Sequence, residues 1–115
     1  MTYISGFVTP VKPENKDAYI ESARMAWPLF QEFGALSMNE GWGDNTPDGK
    51  VTDFRRAVQA EDGEIVVFSW VVWPDKATAD AAEGKMMSDP RMEQLPMPFD
   101  GKRMIYGGFQ TIFEA

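Results

Sequence analysis

The chain predicts an α+β fold of the ferredoxin-like type, in the order βαββαβ, with an antiparallel sheet that carries both helices on one face. Three observations lead there. Two stretches of helical spacing each stand between strand-like runs, so that helices and strands interleave as two β-α-β halves. The half-to-half junction, from Leu36 to Trp73, joins two strands through a polar loop rather than a helix. The second of those strands, from Glu64 to Trp73, is apolar on both alternating faces and must be covered on both sides.

Strand one spans Tyr3 to Val8, short and β-prone, and Thr9-Pro10 is expected to end it because proline has no N–H to give a ladder. Pro13 suits a first helical position, and Glu14 and Asp17 sit where they favour the positive end of a helix dipole. Helix one follows to about Phe33. Its stripe is Tyr19, Ala23, Ala26, Phe30 and Phe33, widened by Ile20 and Trp27, with Pro28 as an internal kink and Gly34 as the C-terminal cap. Strand two, Leu36 to Trp42, places Leu36, Met38, Glu40 and Trp42 on one side by two-residue alternation.

The loop that follows turns at Pro47-Asp48-Gly49 and later carries Arg55-Arg56; its length in so small a domain predicts an ordered, functional segment. Pro74-Asp75 ends strand three and offers Asp75 as the N-cap of helix two, whose alanines 77, 79, 81 and 82 allow close approach to the sheet before Asp89-Pro90 closes it. Arg91 to Lys102 reads as an irregular, partly buried loop. Strand four runs from Met104 to Phe113, and the adjacent Gly107-Gly108 suggests a bulge or a close backbone approach. Two helices cover one face only. The other apolar face of strand three predicts a homodimer formed through the sheet.

At 115 residues the chain is expected to be one domain, residues 1–115. A formal net charge of −7, from 18 acidic and 11 basic residues, repels phosphate backbones and anionic lipid surfaces, so neither nucleic acid nor membrane is an expected partner. No apolar run approaches the roughly 20 residues that span a bilayer. Met1 to Gly6 lacks the basic and apolar regions of a signal peptide, and the absence of cysteine agrees with a reducing compartment, so a cytoplasmic location is expected. The absence of histidine removes Ser-His-Asp and Cys-His nucleophiles and a protein imidazole for haem. No serine has lysine three residues on, which removes the S-x-x-K arrangement. Acid and base work falls to Asp, Glu, Tyr or Lys, with no metal or cofactor expected.

Six motifs carry a family resemblance over nearly the whole chain: Gly6 to Val11, Glu40 to Asp44, Pro47 to Phe54, Val66 to Trp70, Asp89 to Met92, and Met97 to Phe109. They resemble those of the YbaA-like proteins, domain of unknown function 1428. The resemblance implies a dimeric α/β barrel, in which two sheets face each other, and implies no activity. The wider superfamily includes cofactor-free monooxygenases, haem-degrading enzymes, isomerases and ligand-sensing domains, and by fold alone any of these is analogy.

Glu40 is the candidate catalytic residue. Burial between Met38 and Trp42 would raise its pKa toward neutrality, whereas Arg103, Arg55 or Arg56 would instead hold it as a structural ion pair. Asp53, Arg55 and Arg56 are candidates for binding a substrate carboxylate or phosphate, or for tying the loop to Asp44, Asp48 or a partner subunit. Trp42, Trp70, Trp73 and Tyr106 line either an apolar pocket or the core and dimer interface. The calcium-like run from Asp44 to Gly49 fails at its twelfth position, which is Arg55. Two functions remain in view: a metal-free, cofactor-independent enzyme of the oxygenase or isomerase type with a small-molecule pocket between helices and sheet, and a non-catalytic metabolite-binding or stress-related protein. They part on whether Glu40 borders a solvent-reachable cavity.

Overall fold

The computed structural model describes residues 1–115. Four strands, β1 (Tyr3–Val11), β2 (Ser37–Trp42), β3 (Ile65–Trp73) and β4 (Ile105–Gln110), form one antiparallel sheet in the order β2-β3-β1-β4. With α1 (Lys16–Glu32) between β1 and β2 and α3 (Lys76–Ser88) between β3 and β4, this is the ferredoxin-like arrangement the sequence predicts. Two short helices, α2 (Phe54–Ala57) and α4 (Pro90–Glu93), lie in the connections.

Several boundaries differ from expectation. β1 does not stop at Thr9-Pro10: Pro10 pairs with Val66 inside the strand. Its missing N–H is tolerated because β4 ends at the Val8–Ile105 pair, so Pro10 lies where β1 has one neighbour only. Pro13 begins a 3-10 turn, Pro13–Asn15, and not α1 itself. Leu36 lies before β2 and is exposed, and Ile20 faces solvent while Leu29 takes a place in the core. Gly107 and Gly108 cause no bulge, since both pair in register with Gly6 and Ser5. They mark a close approach instead, with the Tyr3 ring lying against Gly108.

Helix ends follow the local chemistry. Asp75 accepts from the Thr78 N–H at 2.8 Å and Asp53 from the Arg56 N–H at 2.7 Å, each capping the helix that follows. At the end of α1, Ala35 N–H donates to Phe30 O and Gly34 N–H to Gln31 O, a Schellman closure that needs the positive φ of 110° at Gly34.

Strand alternation divides the sheet. Phe7, Thr9, Met38, Glu40, Ser69 and Val71 face the helices, and Val8, Phe68, Trp70, Ile105 and Phe109 face away. The helix side holds two buried clusters. Leu29, Phe33, Val71 and Trp73 pack with Ala79 and Ala82 of α3 at one end of the sheet, where alanine lets the helix come close. Val11, Tyr19 and Val67 form a smaller cluster at the other. Trp73 is fully enclosed, and its indole N–H is satisfied by Ser5 Oγ at 3.0 Å. On the far side of the sheet Phe68, Ile105 and Phe109 are exposed.

Candidate functional site

Between the two clusters the facing side chains are small. Ser22, Ala23 and Ala26 on α1 stand over Thr9 of β1 and Ser69 of β3, too little volume to fill the space between helix and sheet. A cavity of about 140 Å³ results, walled by Phe7, Phe30, Met38 and Val71 and closed on its outer side by Phe99 and Met104. The segment that brings Phe99 there is tied to α1: Ser22 Oγ donates to Pro96 O at 2.6 Å and Asn15 Nδ2 to Pro98 O at 3.4 Å. The Phe99 ring then tilts against Tyr19, 5.7 Å between centroids.

Glu40 lines this cavity from β2, an edge strand, and is itself exposed, so the cavity has a polar mouth that solvent reaches. Its neighbour is not an arginine. Tyr19 Oη donates to Glu40 Oε1 at 2.7 Å, the Ser69 hydroxyl lies opposite on β3, and no cation stands within ion-pair distance. The protein around Glu40 desolvates its charge and raises its pKa above the ordinary carboxylate value, while the hydroxyls of Tyr19 and Ser69 oppose part of that rise. Burial raises the Tyr19 pKa as well, reinforced by the Glu40 charge and offset in part by Ser69 and Thr9. Tyr19 therefore stays a neutral donor across the physiological range.

The structure separates Glu40 from the other residues singled out in the sequence. Arg103 is engaged elsewhere, donating to both oxygens of buried Glu64 at 2.7 and 2.9 Å and to Asp100 at 2.9 Å. Arg55 holds the backbone carbonyls of Glu64 and Glu61, and Arg56 holds Asp53 together with Val51 O and Gly49 O. Asp53, Arg55 and Arg56 thus fasten their own loop and none of them reaches the cavity; the sequence had offered Asp44 and Asp48 as their partners, and Asp53, with its pKa lowered to about 2 by N–H donors from Arg56 and Gly49, takes that place. Trp42 packs on the Val11 cluster with Lys16 Nζ 5.3 Å above its ring. Trp70 faces the opposite side of the sheet, beside Phe68. Trp73 is core. Tyr106 stacks on Phe7, 6.1 Å between centroids, and is largely exposed. None of these four lines the cavity, because alternation or position on the strand turns each away from it.

Tyr19 is the site residue the sequence reading placed in the core stripe and did not assign to chemistry. Its signal was present in outline: on α1 it leads a face that continues through Ser22, Ala23 and Ala26, small residues where a filled core would carry large ones. The aromatic walls, Phe7, Phe30 and Phe99, come from three separate elements, and no spacing in the sequence joins them.

The element order and sheet topology define a ferredoxin-like α+β protein. In structure the chain is similar to a dimeric ferredoxin-like protein from an uncultured marine organism, with a TM-score of 0.63 and 12% identity over 99% of this chain and 98% of that one. It is also similar to a mutant form of SnoaB, a cofactor-independent oxygenase from Streptomyces nogalater, with a TM-score of 0.53 and 13% identity over 98% and 95% of the two chains. At such identities the likeness is one of fold. In sequence, the model of the family described as Protein of unknown function (DUF1428) matches residues 2–101. The Escherichia coli (strain K12) protein named "Uncharacterized protein YbaA" is 60% identical over 116 residues, covering 99% of each chain, and a Shigella flexneri protein of the same name matches equally. The chain belongs to this family, as its motifs suggested.

Proposed function

We propose that this protein is a cofactor-independent enzyme of the oxygenase or isomerase type, in which Glu40 takes a proton from a small molecule held between α1 and the sheet. The observation that carries this reading is a carboxylate at a cavity mouth with a raised pKa, a tyrosine donor at 2.7 Å and no cation to neutralise it. A carboxylate partly desolvated by its surroundings is a stronger base than a fully hydrated one, and proton removal from a weak acid is the step that isomerisation and metal-free oxygen chemistry share. Tyr19 supports the role by holding Glu40 in place and by supplying an O–H that follows charge as it moves. The alternative of a purely binding protein accounts less well for an acidic group kept unpaired beside three aromatic walls.

The working unit in this reading is a cytoplasmic, one-domain homodimer joined through the outer sheet face. Phe68 on β3 and Ile105 and Phe109 on β4 are 42%, 46% and 58% exposed there, with Val8 and Ile4 of β1 between them to join the apolar patch. Sedimentation at micromolar concentration is expected to give twice the chain mass, and a Phe68→Glu, Phe109→Glu variant half of that; a wild-type monomer would remove the dimer.

The catalytic test follows ring protons of resorcinol in D2O by NMR, since removal of a hydroxyl proton activates its ring carbons toward exchange. Wild type is expected to accelerate exchange over buffer, and Glu40→Gln to lose about 100-fold of that rate or more. Equal acceleration by the two proteins would defeat the assignment.

A further inference from the structure

We propose that the cavity selects a single-ring ligand carrying a phenol-type O–H, and rejects carboxylates and phosphates. This rests on the reading of Glu40 as an acceptor and adds what it accepts from. Volume sets the first limit. A cavity of about 150 Å³ holds one benzene molecule, and the space here is about 140 Å³. Its walls, Phe7, Phe30, Met38, Val71 and Phe99, offer only apolar and aromatic surface, which suits a flat ring.

Charge sets the second limit. The ionisable side chains lining the cavity are Glu40 and Tyr19, and no lysine or arginine joins them. Every arginine of the chain is bonded to acids or carbonyls of its own neighbourhood: Arg24 to Glu21, Arg55 to Glu61 O and Glu64 O, Arg56 to Asp53, Arg91 to Glu32 and Asp89, Arg103 to Glu64 and Asp100. Lys16, at the start of the helix that carries Tyr19, lies over Trp42. An anion entering the cavity would meet a carboxylate with no countercharge, in a chain whose net charge is already −7.

Hydrogen bonding sets the third. A carboxylate accepts at about four sites, so Glu40, with Tyr19 on Oε1 and the Ser69 hydroxyl beside it, keeps room on Oε2 for a further donor. The Tyr19 bond is itself a phenol giving its proton to Glu40 at 2.7 Å, so a phenolic ligand would repeat on Oε2 a geometry the protein already makes on Oε1.

The test titrates the intact protein at neutral pH with p-cresol and benzoate, read by amide chemical shifts. p-Cresol is expected to saturate shifts at Ala23, Ala26 and Val71, with benzoate weaker by about tenfold or more. Ala23→Leu, which fills the cavity from a partly covered helix position, is expected to abolish the p-cresol response, and Glu40→Leu to weaken p-cresol about fivefold or more. Benzoate binding as well as p-cresol, shifts that map elsewhere, or no saturable shift would overturn the proposal. The two readings fail separately. Glu40-dependent resorcinol exchange alongside preferred benzoate binding removes the ligand class and keeps the base, whereas p-cresol selectivity without exchange removes the base and keeps the ligand class.

Discussion

Glu40 and Glu64 stand on the same sheet system within one small fold, and their surroundings are opposite. Glu64 is 5% exposed, receives both guanidinium branches of Arg103 and the backbone N–H of Glu61 at 2.6 Å, and has its pKa lowered, chiefly by Arg103. Glu40 opens on a cavity, receives a neutral hydroxyl and has its pKa raised by desolvation. The ion pair that the sequence offered to Glu40 through Arg103 is formed with Glu64 instead. One carboxylate fastens the segment after Asp100 to the start of β3; the other is left with a charge the fold does not neutralise. An unneutralised acid in a cavity is costly for stability, and such a cost is a common mark of a site kept for function.

The comparison breaks most visibly through chemistry. Glu40→Gln is expected to lower resorcinol exchange by about 100-fold or more, whereas Glu64→Gln, away from the cavity, is expected to leave the rate per folded molecule unchanged. Equal losses in both would show that the two acids are not distinct in role. Tyr19→Phe is expected to cost about tenfold in the same assay. Because the Tyr19 hydroxyl lowers the Glu40 pKa, its removal also moves the acid limb of the pH–rate profile to higher pH; a limb that moves down or stays would separate Tyr19 from Glu40.

Stability sharpens the contrast further. Glu64 has a folded pKa below its unfolded value of about 4.3, so its contribution is fully present above that value and is lost as pH falls through the depressed one. Removing Arg103 with Arg103→Gln is expected to lower the urea midpoint at neutral pH, and by progressively less as the pH drops below about 4. Glu40 has the opposite sign. Its raised folded pKa means that ionisation opposes folding, a penalty absent below the unfolded value and complete once the pH has risen past the folded one. Glu40→Gln is therefore expected to raise the midpoint slightly at pH near 7 and to leave it unchanged near pH about 3, and a loss of stability at neutral pH would contradict the account.

Away from both acids, Gly34→Ala tests the Schellman closure. The new methyl meets the Thr78 side chain at 2.6 Å on a residue with φ of 110°. It is expected to cost about 1–3 kcal/mol in urea unfolding, without altering the ratio of the Glu40 and Glu64 effects.

The fold was legible because its signals are local. Two caps at Asp75 and Gly34, the alternation of Met38, Glu40 and Trp42, and the doubly apolar β3 each act within a few residues. Pro10 misled because its effect depends on whether β4 flanks it, a tertiary fact. The site was legible only at Glu40. Its position between apolar neighbours marked it, but whether an arginine or a tyrosine would reach it is decided by how α1 lies across the sheet. Likewise Trp42, Trp70 and Tyr106 are conspicuous as residue types, while the cavity owes its existence to small ones, Ser22, Ala23, Ala26 and Ser69, which a reading drawn to large aromatics passes over.

The most direct measurement is the carboxyl titration of Glu40 and Glu64 by carbon-detected NMR on glutamate-labelled protein. The account predicts that Glu40 titrates above the ordinary glutamate value of about 4.3 and Glu64 below it, and that Tyr19→Phe widens the gap. A Glu40 that titrates at or below that value, alongside or beneath Glu64, would contradict it.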